Sequence, residues 1–491
     1  MKIALPKLHA SHSATNEEST RLCRTALEQK DQEDYEGAQR TMSRLWSGVG
    51  ERPKTEGLHP ATVAEVLLTV GILTGWIGSK NQIKDAQETA KNFITESVTY
   101  FESVKDVLMI ATARTEIAFC YWRQGELNEA RTMIQEALEK LIAAGNTRGR
   151  AVLKLVAVEI SAARFHEAQR ILNDNAHLFL KLKHHIIKGG YHNETAIILR
   201  RLAKSEKRDD YLTNAISHFQ KADHEFKLAH NQVYRGDVKN NVGLILFNLS
   251  RYKEAHQYLD EARRLAGRIK DKARTGIYNE SKAQVFIAER KFKEAEIVAR
   301  QSVIAFEKSE HYCEMAEALI TQGIALARSG KTERAHFIFQ QAIQTALRVN
   351  ALNMAGLAAL SLIEEVELDS LTLQAAYQQA REWLAGTERS DVLLRLGDAA
   401  GKLAESLRGE LPTDKASEIL LTKPFDLQEM MLKHEGTLIK KALAQSNGSV
   451  TYAASLLGMS YQALCYILQT RHKNLQEVRS PIRRRSKKSD K

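Results

Sequence analysis

The residues best suited to bind a ligand cluster at the C-terminal end of the chain. Residues 471–491 contain nine lysines and arginines and two acidic residues, so this segment carries seven of the eleven net positive charges of the 491-residue chain. Ammonium and guanidinium groups bind phosphate oxygens strongly. Such a cluster therefore favours an acidic partner, most often nucleic acid. A solvated basic tail without a partner is the alternative interpretation.

A second phosphate-binding pattern is incomplete. Residues 329–332 read SGKT and resemble the end of the phosphate loop GxxxxGK[ST]. The first glycine of that pattern would fall at Ala325, and the segment lies between helical stretches rather than after a strand. We therefore interpret Gly330 as a turn glycine and expect no nucleotide there.

Patterns for catalysis or metal binding are equally weak. HExxH, GxSxG and GxGxxG do not occur. His184, His185 and His192 lack cysteines or carboxylates at metal-ligand spacing, so we interpret them as surface residues. No two of the four cysteines are close in sequence, which argues against a disulfide framework and fits a reducing compartment. The sequence predicts a non-enzymatic protein without cofactor or metal.

The elements that must position these residues are predicted to be helices. The chain has only six prolines, and none lies in residues 61–411. Because proline breaks helix interiors, so long a gap favours packed helices over a sandwich or barrel. With 43% hydrophobic residues the chain has enough apolar content for a large core.

Neither a secretory signal nor a membrane span is expected. Residues 1–15 lack the apolar stretch of a signal peptide. No uninterrupted run of about 18 apolar residues occurs in the chain. We therefore expect a cytoplasmic protein that does not contact membranes.

A short phrase recurs through the middle of the chain. It consists of a polar turn, an aromatic residue or leucine, two polar residues and an alanine. Clear copies end at Ala130, Ala168, Ala255, Ala295 and Ala335, and weaker ones at Ala38, Ala86, Ala215 and Ala376. The last three clear copies are evenly spaced, which indicates a repeated helical hairpin.

These copies resemble tetratricopeptide repeats. The best match contains Gly243, Leu246, Tyr252, Ala255 and Leu259. The spacing of the alanines is longer than the usual tetratricopeptide period, and the closing proline is absent. The resemblance implies an all-α solenoid of helical hairpins whose inner face binds a protein or peptide partner. In such hairpins Leu127, Tyr252 and Phe292 are expected to be core residues.

Prolines return at Pro412 and Pro424, where a linker and a new domain are predicted. A helix is predicted over 427–445, with Gly448 as its stop. Ser449 is expected to cap a helix over 450–457, and Ser460 a last helix over 461–470. Two short helices joined by a glycine turn form a helix-turn-helix. Its predicted core consists of Leu456, Leu457, Met459, Leu464 and Leu468.

Residues 438–468 resemble the Fis-type helix-turn-helix of bacterial transcription regulators. The shared pattern, G-N-x-T-x-A-A-x-x-L-G-I-S-x-x-x-L, is matched here by Gly448, Thr451, Ala453, Ala454, Leu457, Gly458, Ser460 and Leu464. The resemblance implies that the last helix enters the major groove of double-stranded DNA. It also implies a homodimer, for which the helix 427–445 is a candidate surface through Met430, Met431, Leu438 and Leu443.

The resemblance assigns DNA contacts to individual residues. Thr451 would reach phosphate, and Gln462 would read adenine if it points outward. The first turn and outer face of the last helix would add Ser460, Tyr461, Ala463, Cys465 and Tyr466. Positions that are commonly basic are tyrosine here, and residues 458–470 contain no lysine or arginine. We expect compensation by phosphate contacts from Arg471, His472, Lys473, Arg483, Arg484 and Arg485.

The predicted organisation has five parts. They are a flexible N-terminus (1–16), tetratricopeptide-like repeats (17–385), a helical connector and linker (386–425), a Fis-type helix-turn-helix domain (426–475) and a disordered basic tail (476–491). The predicted function is a DNA-binding transcriptional regulator in which the array senses a protein or peptide partner. The alternative is a protein-interaction scaffold whose helix-turn-helix no longer binds DNA.

Overall fold

A computed structural model describes residues 15–142, 145–387, 389–410 and 427–478, and every regular element in these ranges is a helix. The chain divides into two compact units, Met1–Ser406 and Leu407–Lys491. The predicted all-α class is therefore confirmed for the part of the chain that the structure describes.

The larger unit begins with α1 (Asn16–Asp31), α2 (Tyr35–Thr41), α3 (Pro60–Lys80), α4 (Ala86–Ser103), α5 (Val107–Gln124), α6 (Leu127–Lys140), α7 (Asn146–Ser161), α8 (Phe165–Asp174), α9 (Ala176–Lys181), α10 (His185–Glu206) and α11 (Asp209–Leu228). It continues with α12 (Gln232–Asn248), α13 (Tyr252–Arg268), α14 (Lys272–Ala288), α15 (Phe292–Glu307), α16 (Tyr312–Arg328), α17 (Thr332–Arg348), α18 (Leu352–Glu365), α19 (Ser370–Trp383) and most of α20 (Ser390–Glu410). The smaller unit contains α21 (Leu427–Gln445), α22 (Val450–Leu456), α23 (Tyr461–Thr470) and a 3-10 helix, Lys473–Val478.

Consecutive helices of the larger unit pack as hairpins, and the hairpins stack. In the second half, α12 packs on α13, α14 on α15 and α16 on α17. The first helices of successive hairpins also touch, since α12 contacts α14 and α14 contacts α16. Because each hairpin covers its apolar face with the next, this is the helical-hairpin solenoid that the alanine spacing predicted.

The second half of the array is regular to the residue. Helices α12 to α18 begin at even intervals, at positions 232, 252, 272, 292, 312, 332 and 352, so successive hairpins are equal in length. The connections repeat a left-handed backbone residue at the same spacing, at His230, Ser250, Lys270, Arg290, Glu310, Gly330 and Asn350. Gly330, in the phosphate-loop look-alike, has a φ of 80° and is the glycine among these seven turn residues.

Small residues set the distance between the helices of a hairpin. A Cβ added to Gly243 would lie 2.7 Å from Leu259, and one added to Gly323 would lie 2.7 Å from the ring of Phe339. Ala255 faces the same interface and is fully buried. Any larger side chain at these points would push the helices apart.

The repeat alanines are buried in every copy of the phrase. Ala38, Ala130, Ala168, Ala215, Ala255, Ala295 and Ala335 are 0% exposed, Ala86 is 3% exposed and Ala376 is 6% exposed. The aromatic or leucine positions Leu127, Tyr252 and Phe292 are half-buried. They pack at the edge of the core rather than in its centre, because each begins the second helix of its hairpin.

Part of the predicted connector 386–425 belongs to the array. Val392 and Ala399 of α20 are each 1% exposed and pack into the core shared by α16 to α19. Residues 411–426 lie outside the described residues, as do residues 1–14 and the tail from residue 479.

One helix differs from the expectation about membrane segments. By length and composition α3 is apolar enough to cross a membrane, with a mean hydropathy of 1.6 over its most apolar window. That window is 78% buried inside the larger unit, where α3 packs against α1, α4 and α5. These contacts are those of a core helix.

The turn between α1 and α2 contacts helices far along the array. Gln32 Nε2 donates to the carbonyl of Ala229 at 3.1 Å. In return Asn231 Nδ2 donates to the carbonyl of Asp31 at 3.2 Å. The first hairpin is therefore bound to the start of α12 as well as to its neighbours.

Charged side chains reinforce this long-range contact. Arg274 of α14 donates to Glu33 of the turn at 2.7 Å. The same guanidinium lies 3.2 Å from Asp237 and 2.9 Å from Asp271. Burial raises the pKa of Glu33 above its ordinary value, although Arg274 opposes the shift. Arg274 therefore compensates three carboxylates at the contact between α1, α12 and α14.

Candidate nucleic-acid interface

The helix-turn-helix of the smaller unit is formed by glycine turns and serine caps. The chain leaves α21 through Asn447 and Gly448, whose φ values are 48° and 78°. Ser449 Oγ caps α22 by accepting from the Tyr452 amide at 3.5 Å, and Ser460 Oγ caps α23 by accepting from the Ala463 amide at 3.2 Å. These are the caps and stops predicted from the sequence.

A small core holds the three helices together. It contains Ile439, Ala442, Leu443, Val450, Ala453, Ala454, Leu464, Leu468 and Leu475. Leu457 and Met459 are partly buried against it. The predicted core residue Leu456 is instead 48% exposed, because the last turn of α22 directs it away from α21 and α23.

The predicted base-reading residues lie together on the outer side of α23. Ser460, Tyr461, Gln462 and Ala463 are exposed in its first turn. One turn later Tyr466 is 64% exposed. Leu464 and Leu468 on the opposite side are fully buried. The helix thus presents one continuous polar and aromatic face while its other face forms the core.

Two further predicted contacts flank this face. Cys465 is partly buried against the core, so only part of its side chain reaches the surface. Thr451 is exposed in the first turn of α22. Its neighbour Tyr452 is 59% exposed and extends the aromatic surface beyond α23.

Among the predicted DNA contacts that the structure describes, His472 is the buried one. The residue is only 7% exposed, and its Nε2 lies 3.0 Å from Glu435 Oε2. Its ring packs on α21 at Gly436, where an added Cβ would lie 3.0 Å from it. These contacts hold the chain after α23 against α21. Neither Glu435 nor Gly436 stood out in the sequence, because a single carboxylate and a helical glycine form no motif.

The remaining predicted cations stay at the surface where they are described. Arg471 Nη1 donates to Glu435 Oε1 at 3.2 Å, while its side chain remains 56% exposed. Lys473 is exposed at the start of the 3-10 helix. Arg483, Arg484 and Arg485 lie outside the described residues.

The helix predicted as a dimer surface, α21, exposes some of the predicted residues and buries another. Met431 and Leu438 of α21 are 64% and 47% exposed, whereas Leu443 is fully buried in the unit's own core. The side chain of Met430 is not among those described. Two of the four predicted positions are therefore available at the surface.

The histidines predicted to lie at the surface are partly buried in the larger unit. His185 Nδ1 lies 2.7 Å from Glu225 Oε2, and His192 Nδ1 lies 3.3 Å from His218 Nδ1. Burial and the neighbouring His218 lower the pKa of His192 to about 4. Within the described ranges, no group of three or more histidine, cysteine, aspartate or glutamate side chains is arranged to hold a metal ion.

Both units match known families. Residues 433–469 match the family described as "Bacterial regulatory protein, Fis family". Residues 110–143 and 236–269 match "Tetratricopeptide repeat". The chain contains tetratricopeptide repeats and a C-terminal Fis-type helix-turn-helix. The first repeat match covers α5 and α6, and the second covers α12 and α13. The Fis-type module suggests a DNA-binding regulator, and the tetratricopeptide repeats suggest protein interaction.

Several solved structures are similar to this chain. A Signal Transduction ATPase with Numerous Domains, with a tetratricopeptide repeat sensor, from Pyrococcus horikoshii has 15% identity and a TM-score of 0.48. The match covers 78% of this chain and 54% of that one, so the chain spans about half the length of that structure. Aspartyl phosphate phosphatase F from Bacillus subtilis has 14% identity and a TM-score of 0.45, covering 81% of this chain and 96% of that one.

A third structure, a Rap protein complexed with competence and sporulation factor, has 13% identity and a TM-score of 0.41. That match covers 69% of this chain and 99% of that one. No curated protein matches the sequence. At these scores the similar structures carry no argument about what this chain binds.

Proposed function

We propose that the protein is a cytoplasmic, DNA-binding transcriptional regulator. Its array binds a protein or peptide partner, and its helix-turn-helix binds double-stranded DNA. The observation that carries the proposal is the division of α23, whose buried side, Leu464 and Leu468, fixes the helix while its capped N-terminal turn faces solvent. A helix held on one side and exposed at its N-terminal end suits insertion into a major groove. The proposed role is binding rather than catalysis.

In this proposal the exposed first turn of α23 supplies the sequence contacts. Gln462 hydrogen-bonds a base edge, with adenine as the best match for its amide. Ser460, Tyr461 and Ala463 line the groove beside it, and Cys465 and Tyr466 follow one turn later. Thr451, exposed at the start of α22, binds a backbone phosphate.

The cations that follow α23 supply most of the affinity. Arg471 and Lys473 lie within three residues of its last turn and bind phosphates beside the groove. The arginines of the tail, residues 483–485, follow the DNA backbone or enter the minor groove. His472 supports these contacts indirectly, by holding the chain after α23 against α21.

Gln462→Ala tests the base contact. Loss of a good base contact should weaken specific binding by about 1–3 kcal/mol and leave nonspecific binding unchanged. Selection of bound fragments from the source genome supplies the specific site, and titration of wild type and variant then measures both affinities. Gln445→Ala, at an exposed position on α21, is the matched control. Equal loss of specific and nonspecific affinity would contradict a base-reading role.

A second experiment tests the tail. In this experiment the salt dependence of DNA binding is compared with and without the tail. A truncated variant must keep the chain up to Val478, because Leu475 belongs to the core of the smaller unit. Replacing Arg483, Arg484 and Arg485 by glutamine avoids truncation altogether. Each neutralised phosphate adds about 0.9 to the slope of log affinity against log salt, so the slope should become shallower by about 3. A slope that does not change would remove the tail from the interface.

An alternative function is a protein-interaction scaffold. It is favoured by the exposed tyrosines Tyr452, Tyr461 and Tyr466 on a face without cations. Absence of any shift of pooled genomic fragments at about 50 mM salt would support the scaffold, because nonspecific electrostatic binding is strong under those conditions.

The proposed homodimer through α21 is tested separately. The double variant Met431→Glu with Leu438→Glu should convert a dimer to a monomer in analytical ultracentrifugation.

A further inference from the structure

A cavity of about 360 Å³, partly open to solvent, lies in the larger unit and is lined by side chains from α1, α3, α5, α7, α10, α11 and α12. Its volume falls within the range of about 300–1,000 Å³ that is typical of small-molecule sites. A second cavity, of about 260 Å³, shares with it the side chains of Lys30, Glu116, Arg150 and Lys154. These four charged side chains therefore line two neighbouring cavities.

Two aromatic rings gather cations at one side of the larger cavity. The rings of Trp76 and Phe119 have centroids 5.4 Å apart. Lys30 Nζ lies 5.5 Å from the Trp76 ring, and Lys154 Nζ lies 5.1 Å from the Phe119 ring. Arg123 Cζ lies 4.3 Å and 4.4 Å from the two ring centroids, so its guanidinium is held against both. Three cations thus converge on one pair of rings.

The cations beside the rings outnumber the carboxylates that form ion pairs with them. Lys154 Nζ lies 2.6 Å from Glu116 Oε2. Lys30 lies 2.8 Å from Asp31, and Asp31 is shared with Arg150. Burial lowers the pKa of Lys154 to about 8, and Glu116 opposes the shift. Two carboxylates therefore serve the two lysines and Arg150, and among the described ion pairs none joins a carboxylate to Arg123.

Several donors at this side of the cavity lack an acceptor. Trp76 Nε1 and Arg123 Nη2 are buried without a hydrogen-bond partner. Lys154 Nζ is close enough to Glu116 for an ion pair, but the geometry is not that of a hydrogen bond. A buried donor without an acceptor costs about 1–3 kcal/mol. Trp76 and Lys154 line the cavity, so a ligand with several acceptor oxygens would compensate their donors, whereas Arg123 does not line it and would act on the ligand through its charge alone.

The rest of the lining combines apolar side chains with polar ones and includes two further carboxyl groups, those of Glu194 and Asp237. Asp237 is already paired with Arg274 and accepts from the Tyr278 hydroxyl. Leu153, Ile187 and Phe226 line the cavity. Glu194 lines it too and accepts from Asn193 Nδ2 at 3.2 Å. Burial raises the pKa of Glu194 to about 7, so this carboxyl group is about half protonated at neutral pH. The cavity therefore offers an apolar compartment beside a cationic one.

We propose that this cavity binds a small organic anion, a carboxylate or a phosphate monoester with an apolar body. Lys30 and Lys154 bind its oxygens, and Arg123 adds its charge from behind the rings. The apolar body lies against Leu153 and Phe226. The site belongs to the array itself, and its occupation does not depend on DNA binding by the C-terminal module.

Three probes of one shape test the proposal on the full chain: naphthoate, naphthyl phosphate and the uncharged naphthamide. Calorimetry and the intrinsic fluorescence of Trp76, with Trp76→Phe as the blank, report binding. At least one anion should bind with a Kd below about 1 mM, and at least about tenfold tighter than naphthamide. Binding by the carboxylate alone or by the phosphate alone supports the proposal and identifies the headgroup. Equal binding of the amide, or no binding of either anion, overturns it.

Variants locate the site. The double variant Lys154→Met with Glu116→Gln removes the cation without leaving a buried carboxylate unpaired. It should weaken binding of the anionic probes at least about tenfold. Arg123→Gln breaks no described ion pair and should weaken binding of the anionic probes about threefold, while the affinity for naphthamide stays the same. Lys253→Met, on the exposed side of α13, is the control and should change neither. Wild-type affinity in folded Arg123→Gln or in the folded double variant overturns the proposal.

Discussion

Replacing Glu280 by glutamine should stabilise the array at about pH 8 and change little at about pH 4. Glu280 lies on α14 and is 7% exposed. The Thr321 hydroxyl and Gln284 Nε2 both donate to its Oε1, while Oε2 is buried without a partner. Burial raises the pKa of Glu280 from 4.5 to about 7; the two hydrogen bonds oppose the shift, and the neighbouring Glu317 adds to it.

The size and sign of the effect follow from this pKa. One pKa unit corresponds to about 1.4 kcal/mol, so the difference between 4.5 and about 7 corresponds to about 3 kcal/mol. Below pH 4.5 the carboxyl is protonated in both states, and there is no cost. Between pH 4.5 and about 7 the unfolded chain has released the proton and the folded chain has not, so the free energy of unfolding falls as pH rises. Above about pH 7 the folded protein carries the full free-energy cost of the ionised, buried Glu280 carboxylate.

Glutamine cannot ionise and removes this cost. Its amide nitrogen takes the place of the unpartnered oxygen and also lacks an acceptor, which costs about 1 kcal/mol. The expected gain at about pH 8 is therefore about 2 kcal/mol. Urea unfolding followed by circular dichroism at about pH 4, 6 and 8 measures it. Glu294→Gln, at an exposed position on α15, is the control. A gain of equal size at all three pH values, or a loss at pH 8, would refute the reasoning.

Three further predictions concern the helices and turns of the array. Gly323→Ala should lower the free energy of unfolding by about 1–3 kcal/mol, because the new Cβ meets a buried ring. Gly267→Ala, with open space around it on α13, should raise the same quantity by about 0.5–1 kcal/mol, and equal effects would contradict the close approach. Arg290→Gly should raise the free energy of unfolding by about 0.5–1 kcal/mol, because Arg290 has a φ of 60° and glycine adopts this left-handed conformation without strain. Gly330→Ala should lower the same free energy, and thermal unfolding that shows the opposite sign for either variant would contradict the prediction. Arg274→Gln should cost about 3 kcal/mol and speed amide hydrogen exchange in α1 and α2, and unchanged exchange would contradict the long-range contact.

The architecture of the array was predictable because it repeats. Each hairpin needs a small residue at the same point, so the alanines at 255, 295 and 335 reveal both the hairpin and its length. The helix-turn-helix was predictable for a related reason. Its turn requires Gly458 at positive φ and a hydroxyl at Ser460 to cap the next helix, and such local requirements are visible in the sequence.

The parts that escaped prediction depend on contacts between distant residues. His472 adjoins the basic tail in sequence, but Glu435 and Gly436 of another helix decide that it is buried. Leu456 fits an apolar pattern, yet in a helix of seven residues one turn more or less decides which side chain meets the core. The cavity beside Trp76 is lined by side chains from α1, α3, α5, α7, α10, α11 and α12, which lie far apart in the sequence, so no local motif predicts it.

The contact between the first turn and α12 alters how the array is expected to unfold. In most repeat proteins each repeat contacts only its neighbours, so single repeats can unfold without the rest of the array. Here hydrogen bonds join residues 197, 200 and 241 positions apart. Breaking any hairpin between α1 and α14 opens that closed loop, so this stretch should behave as one cooperative block that forms slowly because its ends must meet. Helices α15 to α19 lie beyond the loop and should open one hairpin at a time under force or mild denaturant.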